Sequence, residues 1–266
     1  MADISAKIVK ELRDKTGVGM MECKKALEAT NGDMEAAIEE LRKAGITKAE
    51  KKAHRSAKEG RVLAQIENGA AVLAEVLCET DFVAKTDDFQ AFAAKVVACA
   101  AALEADGCVS EAVAEATKAE ITALIGKIGE NMQVRRVARW KVAGTCSSYL
   151  HMGGKIGVLA EVEGPADDEL LHDLCLHIAA FSPRFIGPAD VPADLLAKER
   201  EIAEAQVVGK PANIVDKIVS GKINKWYTEV CLTQQPWVKD DKQCFAKIAP
   251  KVTVKRFLRW QVGEEI

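Results

Sequence analysis

A pentapeptide occurs twice, unchanged, in this chain: Val72-Leu73-Ala74-Glu75-Val76 and Val158-Leu159-Ala160-Glu161-Val162. Each copy is followed by a longer related run. The first is Val134-Arg135-Arg136-Val137-Ala138-Arg139-Trp140-Lys141-Val142 and the second Val254-Lys255-Arg256-Phe257-Leu258-Arg259-Trp260-Gln261-Val262. Self-similarity in the same order constrains the fold strongly, because both copies must build the same local structure to bury the same residues. Each pentapeptide also ends a hairpin-like pair of runs. Residues 61–66 and 71–77 flank Asn68-Gly69, a strong hairpin turn, and residues 147–151 and 156–162 flank the stretch from Met152 to Lys155. The expectation is two hairpin-plus-helix units, each closed by a strand that bears a tryptophan.

The copies are not equally spaced. From Val72 to Val134 is 62 positions and from Val158 to Val254 is 96, so the second unit carries an insert of 34. Pro183 to Pro192 ends a helix over 169–181, a helical pattern runs from about Ala193 to Val208, and Gly209-Lys210-Pro211 makes a turn. A second helix follows, with Val215, Val219, Ile223 and Trp226 on one stripe. This predicts a protruding antiparallel helical hairpin, which must meet either the core or a partner.

Residues 1–46 read as three short helices. The first carries Ile4, Ile8 and Leu12 and stops at Thr16-Gly17. The second carries Met20, Cys23 and Leu27, and the third is capped by Asp33 and ends at Gly45. Each has one narrow apolar stripe, so the three need each other for burial. Residues 47–61 then change character, with Lys48, Lys51, Lys52, His54, Arg55, Lys58 and Arg61 and almost nothing apolar. Such a run is usually a solvated linker or helix face, and docking of an acidic partner is the alternative reading. The expected domains are 1–54, a helical module with its basic linker; 55–142; 143–182 with 229–266; and the inserted hairpin, 183–228. The fold class is α+β.

Composition excludes several functions. A net charge of −3 argues against a broad nucleic-acid footprint. No apolar run approaches the roughly 18 residues of a membrane helix. The start Met1-Ala2-Asp3-Ile4-Ser5 lacks a signal-peptide core, so a cytoplasmic protein is expected, with its eight cysteines reduced. Phosphate-loop, dinucleotide-binding and nucleophile-elbow patterns do not occur. Met152-Gly153-Gly154-Lys155 resembles a phosphate loop only superficially and reads as a hairpin turn. His172 and Cys175 share a helix face while His177 lies well round from it, and no second ligand pair follows, so a structural role is the stronger reading. Glu79, Asp81, Glu161 and Glu163 have no partner pattern for acid–base work. Neither a cofactor nor a metal is expected. The chain reads as an interaction protein rather than an enzyme.

One stretch remains, Cys78-Glu79-Thr80-Asp81-Phe82-Val83-Ala84-Lys85, at a junction between a strand and a helix bearing Phe89, Phe92, Val96 and Val97. Phe82 is either a core plug under that helix or an apolar wedge presented to a partner with a charge beside it.

Four blocks together resemble the elongation factor Ts family, the bacterial guanine-nucleotide exchange factors of elongation factor Tu. They are the run from Val9 to Leu27 (VKELRDKTGVGMMECKKAL), Thr80-Asp81-Phe82-Val83, Lys127-Ile128-Gly129-Glu130-Asn131 and Ile156-Gly157-Val158-Leu159. The resemblance covers essentially the whole chain in order. It implies an N-terminal ubiquitin-associated-like domain, a duplicated α+β core and an inserted coiled-coil hairpin. It also implies that Thr80, Asp81, Phe82 and Val83 bind elongation factor Tu, with the Asp81-Phe82 pair inserting near the magnesium end of the nucleotide site. Lys10, Arg13, Met20 and Met21 would dock on the GTPase domain, and His151 would face the more distant domains. The implied partner is elongation factor Tu in its GDP-bound and nucleotide-free states, with no direct contact to nucleic acid or membrane. A homodimer or a two-plus-two complex stays open. Many members continue into a C-terminal helical module. This sequence stops at Gly263-Glu264-Glu265-Ile266, directly after the last strand, so residues 1–54 are expected to carry more of the grip. Two rivals stand beside this reading: a helical module that binds some other partner, and an enzyme with an unrecognised polar pocket.

Overall fold

A computed structural model describes residues 4–207 and 211–266. The fold is α+β, and the chain divides into two compact units. One holds residues 1–141, 152–156 and 260–266, and the other holds 142–151 and 157–259.

The first unit opens with three helices, α1 (Ala6–Thr16), α2 (Met20–Ala29) and α3 (Met34–Lys52). Val9, Leu12, Cys23, Ala26, Leu27 and Ala37 form their shared core, with Ile4, Ile8, Ile38 and Leu41 around it. Gly17 ends α1 in the left-handed conformation, and the Asp33 side chain caps α3 by accepting from the Ala36 N–H at 3.0 Å. The expected stop at Gly45 does not occur: α3 runs seven residues further, through the start of the basic stretch. A mid-helix glycine costs about 1 kcal/mol, and α3 carries it where a second helix passes close by. A Cβ on Gly126 of α7 (Lys118–Ile128) would lie 3.5 Å from the Gly45 Cα. Beyond the crossing, Ala49 of α3 packs against the core of the first sheet.

That sheet has the order β1-β2-β4-β3, built from β1 (Glu59–Glu67), β2 (Ala70–Cys78), β3 (Gly107–Cys108) and β4 (Met132–Lys141), with antiparallel pairings throughout. Asn68 and Gly69, at φ 50° and 74°, make the tight turn between β1 and β2. All nine residues of β2 are buried. Val72, Ala74, Val76 and Cys78 point to one face, as the period-2 geometry requires. There they meet Phe89, Phe92, Ala93, Val96 and Val97 of α5 (Asp87–Ala101) and Val113 of α6 (Ser110–Ala116). Burying each of the two phenylalanines contributes about 2–3 kcal/mol.

The second sheet has the order β5-β6-β9, from β5 (Thr145–His151), β6 (Ile156–Glu163) and β9 (Thr253–Gln261). In both sheets the Val-Leu-Ala-Glu-Val strand lies between its hairpin partner and the tryptophan strand, as the repeat requires. Met152-Gly153-Gly154-Lys155 forms the turn between β5 and β6. The rest of the second unit comprises α8 (Asp168–Phe181), α9 (Ala193–Ala205), α10 (Ala212–Val230), the short pair β7 (Pro236–Trp237) and β8 (Asp240–Cys244), and α11 (Phe245–Ile248). His177 of α8 is buried between Phe181 and Trp237, with Nε2 3.0 Å from Gln235, while His172 is exposed. Burial holds the His177 pKa below its ordinary value despite that hydrogen bond.

The inserted hairpin is formed by α9 and α10. The expected turn at Gly209-Lys210 and the helical end at Val208 lie outside the described residues. Ala203, Val219 and Ile223 make its small core, with Leu196, Val215 and Tyr227 packed on them. The stripe therefore continues from Ile223 to Tyr227, four residues on. Trp226, expected in that stripe, instead lines a cleft of about 230 Å³ with Lys222, Glu199 and Ile202. Because the hairpin buries its own stripe, excising residues 193–225 and closing the gap with a short linker should leave cooperative unfolding intact. A denaturation curve that loses its single sharp transition counts against this.

The two repeat glutamates reveal a reciprocal arrangement. Glu75 is fully buried and accepts from Arg136 Nε at 2.5 Å, Arg135 Nη1 at 3.3 Å and the Gly263 N–H at 2.9 Å. Glu161 is also buried and accepts from Arg256 Nε at 2.6 Å and from the N–H groups of Ala143 and Gly144 at 2.8 and 3.0 Å. Each carboxylate is thus paired with the arginine of its own repeat and capped by the backbone that follows the tryptophan strand of the other. Burial alone would push the Glu161 carboxyl up, but the Gly144 and Ala143 N–H groups and Arg256 outweigh it and hold it below its ordinary value. A depressed folded-state pKa means that stability is fully present above the unfolded value of about 4.3 and lost as pH falls through the folded value. Wild-type protein should therefore lose denaturant resistance below about pH 4.3, and Glu161→Gln should flatten that slope. Equal slopes in urea titrations at pH 5 and pH 3 would remove Glu161 from the account.

Candidate partner-binding site

Strand β2 delivers the chain into a one-turn helix, α4 (Asp81–Ala84). Two threonines six residues apart set the local geometry. The Thr80 side chain accepts from the Val83 N–H at 3.4 Å to start α4, and Thr86 accepts from the Phe89 N–H at 3.3 Å to start α5. The helix therefore begins, halts at Lys85 and begins again. Val83 and Ala84 turn into the core beneath α5, while Phe82 on the other side is 78% exposed. The core-plug reading of Phe82 is excluded. Val83, expected with its neighbours at the partner surface, is instead buried and anchors the turn from below. Thr80 is half-buried and its hydroxyl is engaged internally, donating to Glu130 Oε1 at 2.7 Å.

Asp81 stands beside Phe82 and pairs with Lys85 one turn on, at 2.7 Å. The Lys85 ammonium, with a smaller contribution from Lys155, holds the Asp81 carboxyl below its ordinary range. Lys155 belongs to the turn after β5, which lies against β1. Gly154 O accepts from the Val62 N–H at 2.7 Å, Gly153 O accepts from Arg61 Nε at 2.9 Å, and Lys155 pairs with Glu59. Met152 at that tip is 73% exposed. Nothing in the linear pattern distinguishes Met152; its exposure at this tip does.

Lys10 and Arg13 are exposed on α1, and Met20 and Met21 are exposed at the start of α2, Met21 to 66%. His151, in the second unit, is exposed at the end of β5, with Nδ1 3.0 Å from the Tyr149 hydroxyl. Among the described residues no cluster of three His, Cys, Asp or Glu is placed to hold a metal ion, and no helix is long and apolar enough to cross a membrane. All eight cysteines are free, and Cys23, Cys78, Cys175 and Cys231 are buried. Burial pushes the Cys78, Cys146 and Cys175 thiols up to about 12, so they are unreactive as nucleophiles.

An exposed phenylalanine on a capped turn, flanked by a paired aspartate, is a candidate partner-binding surface on a mixed α+β architecture. A family model for Elongation factor TS matches residues 79–264, which include this turn, the tryptophan strand of the first repeat and the whole of the second. Elongation factor Ts of Thioalkalivibrio sulfidiphilus is 49% identical over 275 residues, covering 99% of this chain and 93% of that protein. Elongation factor Ts of Vibrio vulnificus is 49% identical over 268 residues, with the same coverage. That of Clostridium botulinum is 45% identical over 285, covering 99% of this chain and 94% of that one. The chain belongs to the elongation factor Ts family and is a translation elongation factor.

Proposed function

We propose that this chain binds elongation factor Tu and speeds the release of GDP, so that GTP can rebind. The exposure of Phe82 on a turn held from below carries this reading, because it is the arrangement of a wedge. An exchange factor needs no covalent chemistry. It binds the nucleotide-free form of its partner better than the GDP-bound form, and by reciprocity weakens GDP by the same factor. Asp81 and Phe82 act at the magnesium end of the nucleotide site. A carboxylate held ionised beside an apolar ring suits that place, since GDP there depends on a cation and on its phosphate contacts. Lys10, Arg13, Met20 and Met21 grip the GTPase domain, and His151 makes a separate contact. Residues 1–54 form the docking module. They also supply Ala49 to the core, so point substitutions at Lys10 and Arg13 separate grip from folding better than a deletion does. The reading places the protein in the cytoplasm, beside its partner.

The test is release of a fluorescent guanosine diphosphate from purified elongation factor Tu, with excess unlabelled nucleotide, at rising concentrations of this chain. Acceleration that saturates supports the proposal, and a rate independent of the added chain sinks it.

A further inference from the structure

Glu130 lies 50 positions beyond Thr80 in sequence, yet its carboxylate closes the turn that carries Phe82. Oε1 accepts from the Thr80 hydroxyl at 2.7 Å, and Oε2 accepts from the N–H groups of Thr80 and Glu79 at 3.0 and 3.2 Å. The same hydroxyl oxygen accepts from the Val83 N–H. Fixing that one oxygen therefore fixes both the helix cap and the direction in which Phe82 leaves the surface. Asn131 completes a bracket around the junction. Its N–H donates to Glu79 Oε1 at 2.6 Å, its side-chain amide donates to the Arg55 carbonyl at 2.7 Å, and the Arg55 guanidinium pairs with Glu79 at 3.2 Å.

We propose that Glu130 is a positioning residue for nucleotide exchange: it acts by holding Asp81 and Phe82 in their projecting geometry, without itself reaching the nucleotide. This rests on the exchange reading above. A four-residue helix cannot hold its own direction, because its nucleation is unfavourable and few bonds offset it. The direction has to be imposed from outside, and a carboxylate accepting three hydrogen bonds imposes it more strongly than a neutral acceptor could. Without it, the turn samples other arrangements, and ordering them again on binding weakens the wedge.

The experiment compares Glu130→Ala, Phe82→Ala and the double variant in the GDP-release titration, alongside amide hydrogen exchange at Thr80 and thermal unfolding. Glu130→Ala should lower the maximal stimulated rate about tenfold, as expected for losing hydrogen bonds to a charged group. The melting temperature should move by only a few degrees. The Thr80 amide should exchange faster, and the double variant should lose well under the product of the two single losses, because both changes act on the same turn. Glu130→Gln, which keeps one accepting oxygen, should fall between wild type and Glu130→Ala. A double variant whose loss is the product of the single losses overturns the proposal, and so does Glu130→Ala at the wild-type rate. If the wild-type chain releases no GDP, the exchange reading fails. Thr80 exchange then still decides the positioning role, and an unchanged rate at Thr80 in Glu130→Ala overturns it.

Discussion

Phe82→Ala should lower the stimulated rate of GDP release by about thirtyfold or more at a fixed, subsaturating concentration, while the protein remains folded. The magnitude follows from the cost of truncating an interface anchor, about 2 kcal/mol or more, which corresponds to that factor in rate. The fold is spared because Phe82 is 78% exposed and the turn beneath it is held by Val83, Ala84 and Glu130 rather than by the ring. Thermal unfolding should therefore match wild type within a few degrees. Phe89→Ala is the control: that ring is fully buried under β2, and its truncation should cost about 3–5 kcal/mol of stability. If Phe82→Ala unfolds like Phe89→Ala and keeps full exchange per folded molecule, Phe82 is not the wedge.

The second large effect concerns Glu75. Its carboxylate holds Arg135, Arg136 and the Gly263 N–H in a site where it is itself fully buried. Arg136 also pairs with Glu264 at 2.7 Å and stacks on the Trp260 ring at 4.6 Å. Glu75→Ala leaves two mostly buried guanidinium groups without their shared counter-charge, and breaking a buried ion pair on one side costs about 3–5 kcal/mol. For a chain of this size that lowers the melting temperature by roughly 10 °C. Near-ultraviolet circular dichroism of the tryptophans during heating reads it directly. A shift of less than a few degrees would mean that water reaches the arginines and replaces the carboxylate. Exchange per folded molecule should change little, since Glu75 does not touch the Thr80–Val83 turn.

Much of this fold was legible because the side-chain periods of strands and helices are short and local. The duplicated Val-Leu-Ala-Glu-Val run, Asn68-Gly69 between two β-rich stretches and the prolines from 183 to 192 each act over a few residues. The strands and the first turn lie where these marks put them. The Thr80–Val83 block likewise marked the turn on which Phe82 is exposed. Gly45 shows where local rules stop. Read alone it ends a helix, but the helix continues, and the residues beyond it gain burial, Ala49 against the core of the first sheet. Trp226 and Tyr227 make the same point: both are apolar and adjacent, and only the packing of α9 against α10 selects Tyr227.

Linear pattern was enough to mark the duplication of the core, the strands that carry the repeat and the family the chain resembles. All of these depend on patterns readable within one segment or by comparing two. Tertiary structure alone decided that Phe82 faces out while Val83 faces in, since a single helical turn is too short for any period to reveal its buried side. It alone brought Glu130 to the Thr80 cap and joined each repeat glutamate to the backbone after the other repeat's tryptophan strand. Those contacts join residues tens to nearly two hundred positions apart. Contacts of that kind form only once burial has brought the segments together, so they leave no local signature in the chain.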